Sequence, residues 1–168
     1  MTNDRMNQEK NARASDASSN VPWPPIIFGL ALTLAFVASS QYSAHIVTET
    51  SHGPFRWAGI AIILIGSGIA VAAEISFLKA GTATRPTRPT RIIVPNGIYR
   101  FTRNPMYLGM SILLAGIGLF ANSWWFLLVL PFAIIAVTKL AIEREEAYLE
   151  RTFGSAYLDY KARTRRWL

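Results

Sequence analysis

Cysteine is absent from all 168 residues. No disulfide framework holds this chain, and chemistry led by a thiolate, on a metal or on an electrophile, is excluded. Histidine is nearly absent too: His45 and His52 are the two in the chain, and without a third ligand nearby they read as solvated loop residues and not as a metal site. Charge is scarce, at 16% of residues against 51% hydrophobic, which is too apolar a balance for a soluble domain. Acid is scarcer than base, 10 residues against 17 for a net charge of +7. The first twenty residues are polar, mixed in charge and without periodicity. They lack the apolar core of a cleaved signal peptide and read as a disordered cytoplasmic tail over 1–20.

Long apolar runs are what the chain has in quantity. Four stand out, at about 26–46, 55–78, 106–121 and 124–142, for spans expected over 26–46, 55–78, 104–121 and 123–142. A crossing needs roughly 20 residues, a length the third run reaches only with its Asn104-Pro105 start and the Asn122-Ser123 turn included. The last two runs are therefore expected as a tight helical hairpin. Three of the cations precede the first run, Arg56 alone lies at the first return, six lie from Lys79 to Arg103, and seven from Lys139 onward. By the positive-inside rule both termini and the long middle loop face the cytoplasm. The fold expected is all-α: an integral membrane protein of four transmembrane helices, forming one domain over 21–168, with a cytoplasmic C-terminal extension of helices at 143–153 and 155–165.

Within that frame the first span reads as scaffold, with Trp23 at the interface. The second is rich in small residues, including Gly59, Gly66, Gly68 and Ala73, which let helix backbones approach closely in lipid. Its Glu74, an ionisable group one turn inside a span, is a functional candidate of second rank. The middle loop carries Pro86 and Pro89 between Arg85, Arg88 and Arg91, a period-three run that favours an extended polyproline segment laid against anionic headgroups. Topology accounts for the basic residues, so nucleic acid is not a partner; the lipid bilayer is. Small residues permit a homodimer without requiring one.

The stretch from Gly97 to Gly109 turns a basic loop into an apolar helix. Asn104 and Pro105 are a strong helix start, the amide as a cap and the proline at the first helical position. Tyr99, Arg100, Arg103 and Tyr107 gather at that positive helix end, where an anion is welcome. A second clue lies after the fourth run, where the helical register continues from Ile135 and Ile142 through Leu149 to Phe153. At ~100° per residue, Glu145 and Glu146 flank this apolar stripe, while Arg144 and Arg151 lie opposite it. Carboxylates in that position either pair with arginines from the preceding loop or accept hydrogen bonds from a polar ligand. Gly154 then stops the helix, and a short last helix sets Tyr160 and Arg163 one turn apart, ahead of a basic amphipathic tail expected along the inner leaflet.

Gly97-x-Tyr99, Arg103-Asn104-Pro105-x-Tyr107-x-Gly109, Glu143-x-Glu145-Glu146, Phe153-Gly154-x-x-Tyr157 and Tyr160-x-x-Arg163 together resemble the isoprenylcysteine carboxyl methyltransferase and phospholipid methyltransferase families. The resemblance runs from about Thr82 to Arg165. It implies an integral membrane enzyme that uses S-adenosylmethionine, bound by Tyr99, Arg103, Asn104, Pro105, Tyr107, Gly109, Glu145, Glu146 and Tyr160, with Arg103, Glu146 and Arg163 as the catalytic set and no metal. Asn104 stands where the family often has histidine, which keeps a hydrogen-bonding group and removes an imidazole.

The chemistry of the residues suits that donor. Arginine and helix N–H groups match its carboxylate, glutamate its ribose diol, and tyrosine faces its adenine or sulfonium. Methyl transfer asks the protein mainly to align donor and acceptor and to exclude water. An apolar or lipid-linked acceptor, an isoprenylcysteine carboxylate or a phospholipid amine, follows from the location of the site; an amine must first lose a proton, for which Glu74 or Glu146 is the base at hand. Gly109, Ser111, Gly116 and Gly118 read as packing positions before they read as a substrate groove. Two alternatives share parts of the pattern: a sterol-reductase-like membrane oxidoreductase, whose family has a similar turn and basic tail for NADPH, and a small four-span transporter.

Overall fold

A computed structural model gives the structure of the protein and describes residues 23–79 and 96–168. The expected tail over 1–20 and the proline-spaced run at 84–91 lie outside the described residues. The chain forms α1 (Trp23–Gln41), a 3-10 turn (Glu49–Ser51), α2 (His52–Lys79), a second 3-10 turn (Gly97–Arg100), α3 (Pro105–Phe120), α4 (Trp124–Val137), a π-helical turn (Thr138–Ile142), α5 (Glu143–Phe153) and α6 (Ser155–Arg163). Among the described residues there is no strand, and one parallel bridge pair joins Thr102 to Arg165.

Three continuous helical segments are long and apolar enough to cross a membrane: Trp23–Gln41, Glu49–Lys79 and Trp124–Phe153. The fourth apolar helix, Pro105–Phe120, has 16 residues and spans about 24 Å at 1.5 Å per residue, short of the ~30 Å of hydrocarbon. Side chains such as Leu34, Phe36, Trp57, Leu64 and Phe132 stand outward on these helices, as an apolar solvent allows.

Two seams hold the bundle. Along the first, Gly59, Gly66 and Ala73 of α2 are buried seven residues apart, and the two glycines face Gly116 and Gly109 of α3. A Cβ added at Gly66 would stand 2.6 Å from the Leu113 nitrogen, and one at Gly109 would stand 2.7 Å from the Gly66 carbonyl oxygen. Backbone therefore meets backbone, and these glycines are packing positions with no room for a groove between them. Along the second seam Ile27, Phe28, Ala31 and Ala35 of α1 close on Leu114 of α3 and on Phe126, Ala133, Val137 and Ile142.

Asn122 makes the hairpin between α3 and α4 with φ of 50°, a left-handed conformation asparagine tolerates better than most residues. Its buried side chain also ties in the α1–α2 loop: Oδ1 accepts the Ile46 and Val47 N–H groups at 3.0 Å each, and Nδ2 donates to the Val47 carbonyl at 2.9 Å. Nearby the Trp124 N–H donates to Ala44 and the Trp125 indole to Tyr42, both at 2.9 Å. His52 is not in the loop but opens α2, half-buried, with Nε2 enclosed and without a partner among the described residues.

As expected, the helix of the fourth run continues past residue 142, and one helical segment reaches Phe153. Its register departs from the expected stripe, because Ile135 is 59% exposed while Ile142 is fully buried. The π turn is the cause. The Glu143 N–H bonds to the Thr138 carbonyl, five residues back, and the Thr138 hydroxyl takes the Ile134 carbonyl at 2.6 Å. In an unbroken α-helix Val137 and Ile142 would lie ~140° apart; a turn closed over five residues stacks them, and both are buried.

Candidate functional site

The site lies where the α3 N-terminus, the turn before it, α5 and the C-terminal tail converge. The expected helix start at Asn104-Pro105 is present, with Pro105 as the first residue of α3, yet the Asn104 side chain makes no cap. It points instead to the tail, where Nδ2 donates to the Arg166 carbonyl at 2.9 Å. Its neighbours do the same in sequence. The Thr102 hydroxyl donates to the Arg166 carbonyl at 3.1 Å, and the Arg103 N–H to the Arg165 carbonyl at 2.9 Å. Residues 164–167 thus form a strap docked on 102–104, with Trp167 packed against the core, in place of a tail free to lie along a leaflet.

Arg103 anchors this arrangement from inside. Its side chain is 9% exposed; Nη1 donates to the Lys161 carbonyl at 3.0 Å and to the Thr164 carbonyl, capping α6, and Nη2 donates to Glu146 Oε1 at 2.9 Å. Nε is buried without a partner among the described residues, which leaves a charged donor unspent at the centre of the cluster.

Two adjacent carboxylates meet opposite surroundings. Glu146, buried at 6% exposure, also receives Arg166 through Nε at 3.1 Å to Oε1 and Nη2 at 2.6 Å to Oε2. Those bonds hold the Arg166 guanidinium above its ordinary pKa, and two guanidinium groups hold Glu146 as a carboxylate. Glu145 is half-buried and accepts one bond, from the Tyr107 hydroxyl at 3.3 Å. No cation of the described residues pairs with it.

Aromatic groups close the cluster. Tyr99 is buried and stands edge-on to Phe77, with ring centroids 5.0 Å apart. Burial, and then the charges of Glu145 and Glu74, push its phenol well up. Tyr160 donates to the Tyr99 carbonyl at 2.7 Å, and burial pushes its hydroxyl up to about 12 against a partial lowering by Arg103. Tyr157, fully buried beside it, is also raised, by burial first and by Glu146 second. All three stay neutral donors at physiological pH.

Tyr99, Arg103, Asn104, Pro105, Tyr107, Glu145, Glu146 and Tyr160 are thus brought together. Gly109 lies one turn further along α3, against α2. Arg163, expected in the catalytic set, is exposed at the end of α6, and it is Arg166 that pairs with Glu146. Arg166 and Thr102 escaped the sequence reading. Both belong to an extended strap, where no periodicity marks a facing side chain. Tyr157 stands in the Phe153-Gly154-x-x-Tyr157 motif and could have been found there.

A family model described as phospholipid methyltransferase matches residues 54–156, more than half of the chain, from α2 to the start of α6. An uncharacterized protein of Haemophilus influenzae is 42% identical over 64 residues, which make up 38% of this chain and all of that protein. A protein-S-isoprenylcysteine O-methyltransferase of Dictyostelium discoideum is 33% identical over 81 residues, 44% of this chain and 31% of that protein; the chain spans under a third of that relative's length. No solved structure matches the chain.

Proposed function

The chain belongs to the phospholipid methyltransferase family and is a membrane methyltransferase, and from that premise we propose that its methyl donor is S-adenosylmethionine, bound at the strap-covered cluster. The observation that carries the reading is the pair Glu145 and Glu146, one with no cation on it among the described residues and one under two arginines, set against the α3 N-terminus and Tyr99.

The residues fit such a donor. A carboxylate offers about four acceptor positions, and the described residues fill three on Glu146, which leaves one for a ribose hydroxyl. The buried Arg103 Nε and the N–H groups opening α3 suit the donor's carboxylate. Tyr107, Tyr99 and Glu145 supply aromatic faces and a negative charge for a sulfonium. When bound, S-adenosylmethionine supplies the activated methyl group. The chain's own part is to orient, to exclude water under the strap, and to take a proton where the acceptor carries one. Glu145 is better fitted to that last task than Glu146, whose lone pairs are committed to guanidinium groups.

α3, its Asn104 start and the Asn122-Ser123 turn complete a fourth crossing, with both termini cytoplasmic and α5 and α6 beyond the cytoplasmic face. The single domain runs from 21 to 168. The acceptor is apolar or lipid-linked and reaches the site from the membrane, and exposed Arg163 is available to its headgroup. Neither a reductase nor a transporter gains support from the family match.

The test is transfer of radiolabelled methyl from S-adenosylmethionine into lipid by the protein in bilayer nanodiscs. Solvent-extractable label is expected, and its absence with Glu146→Ala. Mild alkali then sorts the acceptor: a carboxyl methyl ester releases its label and an N-methyl product keeps it. Label in neither fraction, from protein that binds the donor, would sink the lipid-linked acceptor.

A further inference from the structure

The geometry points to Arg166 as a positioning residue of the donor site and to Asn104 as the latch that sets it; the inference rests on the donor reading above. The two arginines on Glu146 do different work. Arg103 spends Nη1 on the Lys161 and Thr164 carbonyls, so it is committed to the fold as much as to the carboxylate. The Arg166 side chain bonds to Glu146 and to nothing else among the described residues, through a fork that reaches both oxygens. A fork fixes the plane of a carboxylate where a single point charge would let it turn. With Arg166 in place, the remaining acceptor position of Glu146 lies on Oε2, at one defined orientation.

That orientation depends on where the main chain of residue 166 sits. Two donors from the other side of the site, the Thr102 hydroxyl and the Asn104 amide, converge on the Arg166 carbonyl at 3.1 and 2.9 Å. The Arg165 carbonyl beside it is held by the Arg103 N–H at 2.9 Å. Thr102 and Asn104 are buried, at 1% and 8% exposure, whereas the Arg166 side chain is 36% exposed. A buried latch thus holds a partly exposed strap, and the strap carries the fork. Asn104 acts here as a donor, a role that a histidine N–H can also fill.

The experiment compares wild type with Arg166→Ala, Arg166→Lys, Asn104→Ala and Asn104→His, all as full chain in nanodiscs. It measures S-adenosylmethionine affinity by titration, the KM and kcat of transfer, and amide hydrogen exchange over 164–168 without donor. Arg166→Ala is expected to weaken donor affinity about tenfold or more, with kcat nearly unchanged, and Arg166→Lys to recover only part. Asn104→Ala is expected to speed exchange across the strap and to weaken donor affinity about threefold or more, and Asn104→His to restore both. If Arg166→Ala does not fold, the Lys and Asn104 variants make the same comparison. Wild type that binds donor beside Arg166 variants that bind it equally well would overturn this inference alone, as would unchanged strap exchange in Asn104→Ala. Wild type that binds no donor would overturn the donor reading and this one together.

Discussion

The two ends of the bundle are both stapled by a buried polar side chain that grips a returning stretch of main chain, and they differ in the charge of the staple. At the hairpin end the Asn122 amide takes two N–H groups and one carbonyl of the α1–α2 loop. At the strap end Arg103 takes two carbonyls behind α6 and then a carboxylate that also holds Arg166. A neutral amide spends itself on the backbone and leaves nothing for a ligand. An ionic staple does the same mechanical work with capacity in reserve, here the Arg103 Nε and one acceptor position on Glu146. Burying ions costs desolvation that a neutral staple avoids. A chain that needs only a joint has no reason to build the second kind.

Substitutions separate the two ends. Arg103→Ala should have the largest effect, since it leaves Glu146 with one partner and uncaps α6; a loss of about 3–5 kcal/mol of stability together with donor binding is expected, read by thermal unfolding and titration. Asn122→Ala should cost about 2–3 kcal/mol by leaving the Ile46 and Val47 N–H groups unpaired. Donor affinity in that variant should stay within about twofold, which is less than 0.5 kcal/mol, and a larger loss would erase the distinction between the ends. Tyr160→Phe removes one bond, to the Tyr99 carbonyl, worth about 1 kcal/mol.

The burial of the Tyr160 hydroxyl also predicts a pH dependence. A phenol raised from 10.0 to about 12 in the folded protein contributes stability in full below pH ~10 and loses it as pH rises toward ~12. The alkaline fall in unfolding midpoint should therefore be shallower in Tyr160→Phe. The smallest effect belongs to Arg163→Ala: the side chain is exposed and outside the cluster, so donor affinity and midpoint should both match wild type.

What was legible in the sequence followed from local rules. Apolar run length marked the helices, the wealth of small residues in the second run marked a close-packed face, and the break at Gly154, with φ of 54°, was visible as a glycine after Phe153. Glu145 and Glu146 stood out because they border an apolar stripe. What escaped depended on a departure from local rules. A π turn at Thr138–Ile142 moved the buried face from Ile135 onto Val137, and helical periodicity has no sign for a turn closed over five residues. Asn104 has the chemistry of a cap and is used as a latch, with Nδ2 turned to donate to the Arg166 carbonyl. Arg166 itself sits in a non-helical strap, where only the docked main chain decides which of two adjacent arginines faces in.

The most direct test of the central claim, that the ionic end of the bundle is a donor site, is calorimetric titration of the purified protein with S-adenosylmethionine, with NADPH alongside and Glu146→Ala as the site variant. Saturable binding of S-adenosylmethionine alone, lost in Glu146→Ala with the fold retained, is the predicted result. Binding of NADPH in its place, or S-adenosylmethionine binding that survives in Glu146→Ala, would contradict it.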